Sequence, residues 1–179
     1  FLTIPNSQLI PEYAYNFSLG IGKKLDFKNI QFSFSSSSFF TILNNVITKQ
    51  SLEINGSSLI YYDSNYYEIL ANQNSESGIV YGISGSLSIT FLKNLKFHSS
   101  LCYTRGILKN TQVPMGHIPP LFGKLNLNYT FKKFDFQILN NFNAEKINKL
   151  FGQGNTDNPL EASPMGYPSW WVINTQVGY

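Results

Sequence analysis

A strict alternation between large apolar and small or polar side chains runs through residues 11–22, PEYAYNFSLGIG. Every second residue from Tyr13 to Ile21 is Tyr, Phe, Leu or Ile, and the residues between them are Ala, Asn, Ser and Gly. Because successive side chains of a β-strand point to opposite faces, this pattern predicts a strand with one apolar and one polar face. About ten residues of unbroken alternation are long for a globular strand, but they suffice to cross a bilayer at a tilt. The stretch therefore predicts a membrane-spanning strand with its apolar face against lipid.

The same alternation returns along the chain, which predicts about seven consecutive strands in all. The six further predicted strands cover residues 30–42, 79–91, 95–103, 123–131, 134–142 and 171–179. A serine run, Ser35 to Ser38, interrupts the apolar row of the second strand but keeps its period.

The connections between these strands alternate in length. Short turns follow the first, third and fifth strands, whereas the long connections cover residues 44–77, 105–120 and 145–168. We expect the first long connection to be a loop with a small hairpin around Asn55-Gly56. Antiparallel membrane barrels have short periplasmic turns and long outer loops. The fold class predicted is all-β, an antiparallel transmembrane β-barrel, with the first and last strands running toward the periplasm.

The composition fits a wall between lipid and water. Charged residues make up 13% of the chain, about half the share usual in soluble domains. Aromatic residues reach 16%. The net charge of +3 is spread out without a basic run, so nucleic acid is not an expected partner. Cys102 is the single cysteine, which excludes an internal disulfide.

No catalytic site can be identified. The two histidines, His98 and His117, are far apart in sequence, and serines occur everywhere, so no triad is indicated. The run GQGNTDN at residues 152–158 carries oxygen ligands but lacks the spacing of a calcium loop, so a plain flexible loop is favoured. We expect no enzyme activity, no metal and no cofactor.

Four stretches carry a resemblance to a known family. They are NSQLIPEYAYNFSLGIGKKL, LANQNSESGIVYGISGSLSI, VPMGHIPPLFGKLNLNY and YPSWWVINTQVGY. The chain resembles the C-terminal part of the barrel of a TonB-dependent outer-membrane receptor, of a Bacteroidetes type. Ser84 stands where the family usually has an acidic residue, and Gly78 where alanine is common.

This resemblance implies that residues 1–179 are the C-terminal portion of a barrel of about 22 strands, without its plug domain and remaining strands. Seven strands with two unpaired edges cannot stand alone in a membrane, which also favours a fragment. The resemblance implies a receptor in the bacterial outer membrane that takes up an iron-siderophore, haem or cobalamin. The partners implied are outer-membrane lipid, the nutrient, and a TonB-type energy-coupling protein that acts through the missing plug.

Candidate site residues fall into two groups, neither of them catalytic. The candidates for ligand capture by outer loops are Tyr61, Tyr62, Tyr66, Tyr67, Arg105 and His117. The candidates for an interfacial aromatic girdle are Trp170, Trp171 and Tyr179. The tyrosines fit a stacking surface for a flat ligand about as well as loop packing.

Two alternatives remain at this point. A soluble all-β binding module, such as an adhesin or a lectin-like sandwich, would bury the aromatic rows between two sheets. A small complete outer-membrane pore would close an even number of strands on themselves.

Overall fold

The computed structural model describes residues 1–74, 77–152 and 156–179. These residues form thirteen strands and two single-turn 3-10 helices, Asn148–Leu150 and Pro159–Glu161. The strands are β1 (Leu2–Ile4), β2 (Tyr13–Asp26), β3 (Ile30–Asn44), β4 (Ile47–Ser51), β5 (Leu59–Tyr62), β6 (Asn65–Asn74), β7 (Gly78–Phe91), β8 (Leu95–Leu108), β9 (Phe122–Phe131), β10 (Phe134–Asn143), β11 (Lys146–Ile147), β12 (Gly166–Tyr167) and β13 (Trp170–Gly178). In this described part no helix is long and apolar enough to cross a membrane.

Seven long strands make one antiparallel sheet in the order β13-β10-β9-β8-β7-β3-β2. Each long strand pairs with the next long strand along the chain, as the alternation and the loop lengths predict. The prediction of a barrel wall of seven strands is confirmed. Within the described chain the sheet is open, with β2 and β13 at its edges, so it does not close into the small complete pore considered as an alternative.

Strand register sorts the side chains onto two faces, because directly opposed residues of antiparallel strands lie on the same side. The row Phe17, Phe40, Tyr81 runs across three strands and defines what we call the apolar face. Leu19 and Ile21 on this face are 75% and 70% exposed, so no other element of the described chain covers them. A sandwich would cover such residues with a second sheet, and the soluble sandwich alternative is therefore wrong.

The opposite side, the polar face, is lined by small and hydrogen-bonded residues. Ser35 and Ser86 approach to 2.7 Å through their hydroxyl oxygens, and Ser37 and Ser84 to 2.9 Å. Ser88 lies 2.7 Å from Nδ1 of His98 on the facing strand. These pairs satisfy polar groups within the sheet and leave a groove of about 740 Å³ along the middle of the wall. The serine run that interrupts the apolar row thus supplies part of the polar face.

Two glycines of the wall lie directly beneath aromatic rings. A Cβ atom added to Gly82 would lie 2.6 Å from the ring of Phe39, its cross-strand neighbour on the polar face. A Cβ on Gly123 would lie 2.8 Å from the ring of Phe142 on the apolar face. In both places the Cβ atom of a larger residue would collide with the ring, which explains the glycine.

The first long connection is more ordered than the sequence indicates. Instead of a loop over residues 44–77, the structure forms β4, β5 and β6, and β1 joins β6 in parallel. The Asn55-Gly56 turn exists, with φ of 53° and 79°, but it closes only one bridge between Ile54 and Ser57. The larger hairpin turns at Asp63 and Ser64 instead, where φ is again positive at both residues, as a two-residue hairpin loop requires.

The sheet of β1, β4, β5 and β6, which we call the outer sheet, has its own small core. Val46, Ile69, Leu70 and Ala71 are at most 3% exposed, which makes them among the most buried residues described. The three consecutive apolar residues of β6 break the alternation that marks the wall strands, because both faces of β6 are covered. The end of the wall with the long connections therefore carries a folded unit rather than a free loop.

We expect the two faces of β7 to respond oppositely to the same polar substitution. Ile83→Asn places an amide on the apolar face and should destabilise the folded barrel by about 2 kcal/mol or more, since lipid offers the amide no partner. Ser84→Asn, on the polar face, should cost less than about 0.5 kcal/mol. The temperature at which the folded band is lost in semi-native gel electrophoresis measures both. Equal losses for the two variants would contradict the assignment of faces.

Candidate functional site

A buried ion pair lies within the third long connection, and its carboxylate also binds the backbone of the second. Nζ of Lys146 lies 2.7 Å from Oδ1 of Asp157, and the two side chains are only 9% and 7% exposed. The backbone N–H of His117 donates to the same oxygen at 2.9 Å, and that of Gly152 donates to Oδ2 at 2.7 Å. One carboxylate thus binds residues from both connections, which we call the loop clamp: Lys146, Asp157, and the backbone N–H groups of His117 and Gly152.

Aromatic side chains support the loop clamp. The ring of Phe151 lies 5.6 Å from that of Tyr167 and 5.8 Å from Nζ of Lys146, measured to the ring centroids. The hydroxyl of Tyr167 donates to the backbone oxygens of Asp157 and Asn158 at 3.2 and 3.0 Å. The pairing of β11 with β12 brings Lys146 opposite Tyr167 and fixes this geometry. Phe151 and Tyr167 thus contact the side chain of Lys146 and the backbone of Asp157, the two charged residues of the loop clamp.

The loop clamp determines the ionisation of Asp157. Burial alone would raise the pKa of this carboxyl, because it disfavours the charged form. The hydrogen bond from Lys146, those from the backbone of Gly152 and His117, and the positive charge of Lys146 outweigh burial, so the pKa of Asp157 lies below its usual range. The charged form of the carboxylate thus stabilises the folded loops.

A cavity of about 460 Å³ opens beside the loop clamp, between the outer sheet and the residues around His117. Its lining mixes apolar and polar groups from several chain segments: Phe1, Lys49, Asn72, Met115, His117 and Asn158 are among them. Nζ of Lys49 lies 4.8 Å from the ring centroid of Phe1. A cavity of this size, apolar with a few converging polar groups, suits an organic ligand.

The four candidate tyrosines do not form one cluster. Tyr61 and Tyr66 face each other across the β5–β6 hairpin, with ring centroids 5.0 Å apart and planes tilted by 57°. They are 63% and 72% exposed, so the pair is open to solvent. Tyr62 and Tyr67 lie on the other face of the hairpin by register. The stacking surface foreseen in the sequence is thus confined to one pair, and its role as a binding surface stays a prediction.

His117 and Arg105 are placed differently from each other. His117 lines the cavity beside the loop clamp, with φ of 60°, and its backbone N–H is held by Asp157. The second long connection was expected to begin at Arg105, but β8 continues to Leu108, so Arg105 lies within a strand. Register pairs it with Tyr81 on the apolar face. Arg105 is therefore not part of an outer loop.

The three candidates for the aromatic girdle do not all lie on the same face of the sheet. Trp171 pairs with Phe142 on the apolar face, whereas Trp170 pairs with Asn143 on the polar face. The ring of Tyr179 lies 5.1 Å from that of Phe134, at the short-turn end of the wall. Rings of Tyr129, Phe131 and Phe136 continue this row. The geometry keeps Trp171 and Tyr179 as girdle candidates, at opposite ends of the wall, and places Trp170 where it does not face lipid.

Sequence reasoning did not identify Lys146 and Asp157 as partners. Asp157 belongs to the run of residues 152–158 weighed for calcium, and residues 153–155 of that run lie outside the described residues. In the described ranges no group of three or more His, Cys, Asp or Glu side chains could hold a metal ion. The acidic side chain in this run serves the loop clamp.

Comparisons with known proteins agree on the fold. A family model described as "TonB dependent receptor-like, beta-barrel" matches residues 1–179. The copper transporter OprC superposes with a TM-score of 0.69 at 16% identity, over 96% of this chain and 23% of that one. The siderophore receptor PirA from Acinetobacter baumannii gives 0.65 at 18% identity, over 97% and 26%.

The FrpB iron transporter from Neisseria meningitidis gives a TM-score of 0.57 at 10% identity, over 98% of this chain and 25% of that one. At these identities the likeness concerns the fold. The chain thus spans about a quarter of the length of these solved structures. A search of curated sequences finds no significant match.

We expect Asp157→Asn to loosen the third long connection. Without the negative charge the buried Lys146 ammonium loses its counter-ion, which should cost about 2 kcal/mol or more of local stability. Hydrogen exchange over residues 144–168 measures the change. Asp135→Asn is the matched control, since Asp135 accepts one exposed hydrogen bond from Thr130 at the opposite end of the wall. Faster exchange in the control alone would contradict the role of the loop clamp.

The pH dependence of hydrogen exchange in the wild type gives a second test of the contact between Lys146 and Asp157. Because the folded pKa of Asp157 is lowered, its stabilisation is fully present above the unfolded pKa of about 3.9 and is lost as pH falls through the folded value. Exchange over residues 144–168, corrected for intrinsic rates, should therefore accelerate below about pH 3.9 in the wild type. In Asp157→Asn this acceleration should be absent or much smaller.

Proposed function

We propose that this chain, which belongs to the TonB-dependent receptor β-barrel family, forms wall and outer loops of a receptor for a scarce, bulky nutrient. The family consists of β-barrels of the outer membrane of Gram-negative bacteria, and its members are receptors and transporters. We assign the chain to the C-terminal part of a longer barrel. The plug and the segment that couples to a TonB-type protein would then belong to the rest of that receptor.

One observation carries this proposal: among the described residues, folded structure beyond the wall strands lies only at the end with the long connections. At the short-turn end, β7 and β8 are joined through three residues, and Phe131 pairs directly with Phe134 across Lys132-Lys133. At the other end the long connections build the outer sheet, the loop clamp and a cavity. A passive wall has no need of a fixed structure at its mouth. A receptor does, because a preformed site reduces the ordering cost of binding.

The ligand class we propose is an iron-siderophore, haem or cobalamin. A cavity of about 460 Å³ holds a substantial part of such a molecule, and the exposed Tyr61–Tyr66 pair offers ring surface to a flat or sugar-like portion. The similar solved structures are described as a copper transporter, a siderophore receptor and an iron transporter, which supports metal-containing cargo. The barrel would make and break no covalent bond in this role. It would capture the ligand and leave energy coupling to its partners.

We expect Tyr61→Ala to weaken ligand capture by about tenfold, because a stacking contact contributes about 0.5–1.5 kcal/mol beyond buried area. The full-length receptor would be expressed in cells that lack their own uptake of ferric siderophore, haem and cobalamin. Each compound would then be supplied separately, and surface binding and growth would be measured.

The matched control is Tyr62→Ala, because Tyr62 and Tyr61 are both 63% exposed but lie on opposite faces of the hairpin. The control should change binding less than about twofold. If no compound supports growth through the wild type, the proposed ligand class fails. If one does and Tyr61→Ala behaves as Tyr62→Ala does, the ring pair is not the contact surface.

A further inference from the structure

The cavity of about 460 Å³ proposed for the nutrient, which we call the nutrient cavity, has a second cavity next to it. The second cavity, which we call the side cavity, has a volume of about 200 Å³. It lies at the end of β8 beyond the last β8–β9 pair, Cys102 with Phe122, where the second long connection packs in place of β9. Pro114 and Met115 line both cavities. The two cavities therefore meet at these residues.

The nutrient cavity presents a cation and amide groups. Lys49 and Asn72 line it and are directly opposed across β4 and β6, so both side chains lie on the same face of the outer sheet. His117 and Asn158 line it from the second and third long connections. None of the described residues in this lining is Asp or Glu. These surroundings favour an anionic group that is rich in oxygen atoms.

The side cavity has a different lining, most of which is apolar. Tyr103, Ile118, Pro119, Pro120, Leu121 and Leu150 are among its residues. Arg105 and Glu145 of the lining carry opposite charges, and Lys146 is paired with Asp157, so the lining offers no excess charge to a ligand. An apolar cavity of about 150 Å³ holds benzene, so about 200 Å³ suffices for roughly eight carbon atoms. The side cavity is therefore suited to a short acyl chain.

Met115 lies between the two cavities, on the polar face of the wall and over two glycines. Its backbone N–H donates to the carbonyl oxygen of Gly106 at 3.0 Å. A Cβ atom added to Gly106 would lie 3.1 Å from Cβ of Met115, and one added to Gly78 would lie 3.4 Å from its Sδ. The side chain thus extends along the wall from one glycine toward the other. Because methionine is unbranched and has three rotatable bonds, this side chain can turn aside without any movement of the strands.

We propose that the two cavities form one binding site, divided by the side chain of Met115, for a ferric chelate with an anionic head and an acyl tail. The head binds in the nutrient cavity near Lys49, and the tail enters the side cavity when Met115 turns aside. This inference rests on the proposed function, because it extends the site proposed there. It narrows the ligand from the classes of iron-siderophore, haem and cobalamin to an amphiphilic iron-siderophore.

Binding of two ferric chelates to cells that express the full-length receptor tests the proposal. The chelators are citrate-based dihydroxamates that differ only in the acyl groups of their hydroxamates, which are acetyl in one and octenoyl in the other. Radioactive iron reports the bound amount and the association rate. The variants are Ile118→Trp, Leu150→Trp, Met115→Ala and Lys49→Gln. Met165→Ala is the matched control for Met115→Ala, because Met165 is the other methionine of the chain and is 79% exposed.

We expect the wild type to bind the octenoyl chelate about tenfold more tightly than the acetyl chelate, because its tail buries apolar surface. Ile118→Trp and Leu150→Trp fill the side cavity and should reduce this preference to about twofold or less. Lys49→Gln should weaken both chelates by a similar factor of about ten, since it removes the cation near the head.

Met115→Ala should raise the association rate of the octenoyl chelate, relative to that of the acetyl chelate, by about threefold or more, because no side chain then has to turn aside. Met165→Ala should behave as the wild type does. Only variants that give the folded band in semi-native electrophoresis are compared.

Equal affinity of the wild type for the two chelates would overturn the proposal, and so would binding of neither. A preference for the octenoyl chelate that persists in the tryptophan variants would overturn it as well, because the tail would then lie elsewhere. An unchanged ratio of association rates in Met115→Ala would contradict the division of the site by Met115.

Growth on haem or cobalamin through a wild type that binds neither chelate would end this inference and keep the proposed function. Conversely, selective binding of the octenoyl chelate by a receptor that supports growth on no compound would keep the divided site and end the proposed function. The two failures are therefore distinguishable.

Discussion

Hydrocarbon cannot accept or donate a hydrogen bond, and the remaining features of this wall follow from that constraint. A chain in lipid must pair its backbone groups internally, which leaves helices and closed sheets as the options. Here the peptide groups pair between seven consecutive antiparallel strands, and the side chains divide by parity. From Tyr13 to Gly22 of β2, odd-numbered positions face lipid with Tyr, Phe, Leu and Ile, and even-numbered positions carry Ala, Asn, Ser and Gly. Under the same constraint the open edges, β2 and β13, need further strands beside them in a membrane.

Beyond the wall the surroundings are no longer hydrocarbon, and the pattern of the structure differs accordingly. The outer sheet buries both faces of β6, and its apolar residues occur in succession instead of alternating. The loop clamp places an ion pair in a nearly dry setting, which is favourable because backbone N–H groups also satisfy the carboxylate. These contacts hold the connections in one arrangement. A cavity between them can then keep its shape in the absence of ligand.

The wall could be predicted from sequence because its signal is local. Each long strand carries a period of two that lipid and water impose, and the turns are short. The structure formed by the long connections could not be predicted, since the residues that contact each other there depend on the path of the loops. Lys146 and Asp157 are eleven residues apart, with no pattern to connect them. Arg105 was placed in a loop because a charged residue ended the apolar row after Tyr103, although the strand continues to Leu108.

Site-selective fluorescence quenching along β7 tests the central claim most directly. Single cysteines at successive positions 83–88, in a Cys102→Ala background, would carry a fluorophore in the receptor reconstituted into vesicles. Brominated lipid chains should quench the labels at 83, 85 and 87 strongly and those at 84, 86 and 88 weakly, whereas aqueous iodide should show the reverse order or no access. Alternation with period two, in the phase set by Ile83, is the predicted result. Labels at 83 and 87 shielded from brominated lipid would contradict it, because the apolar face would then lie against protein.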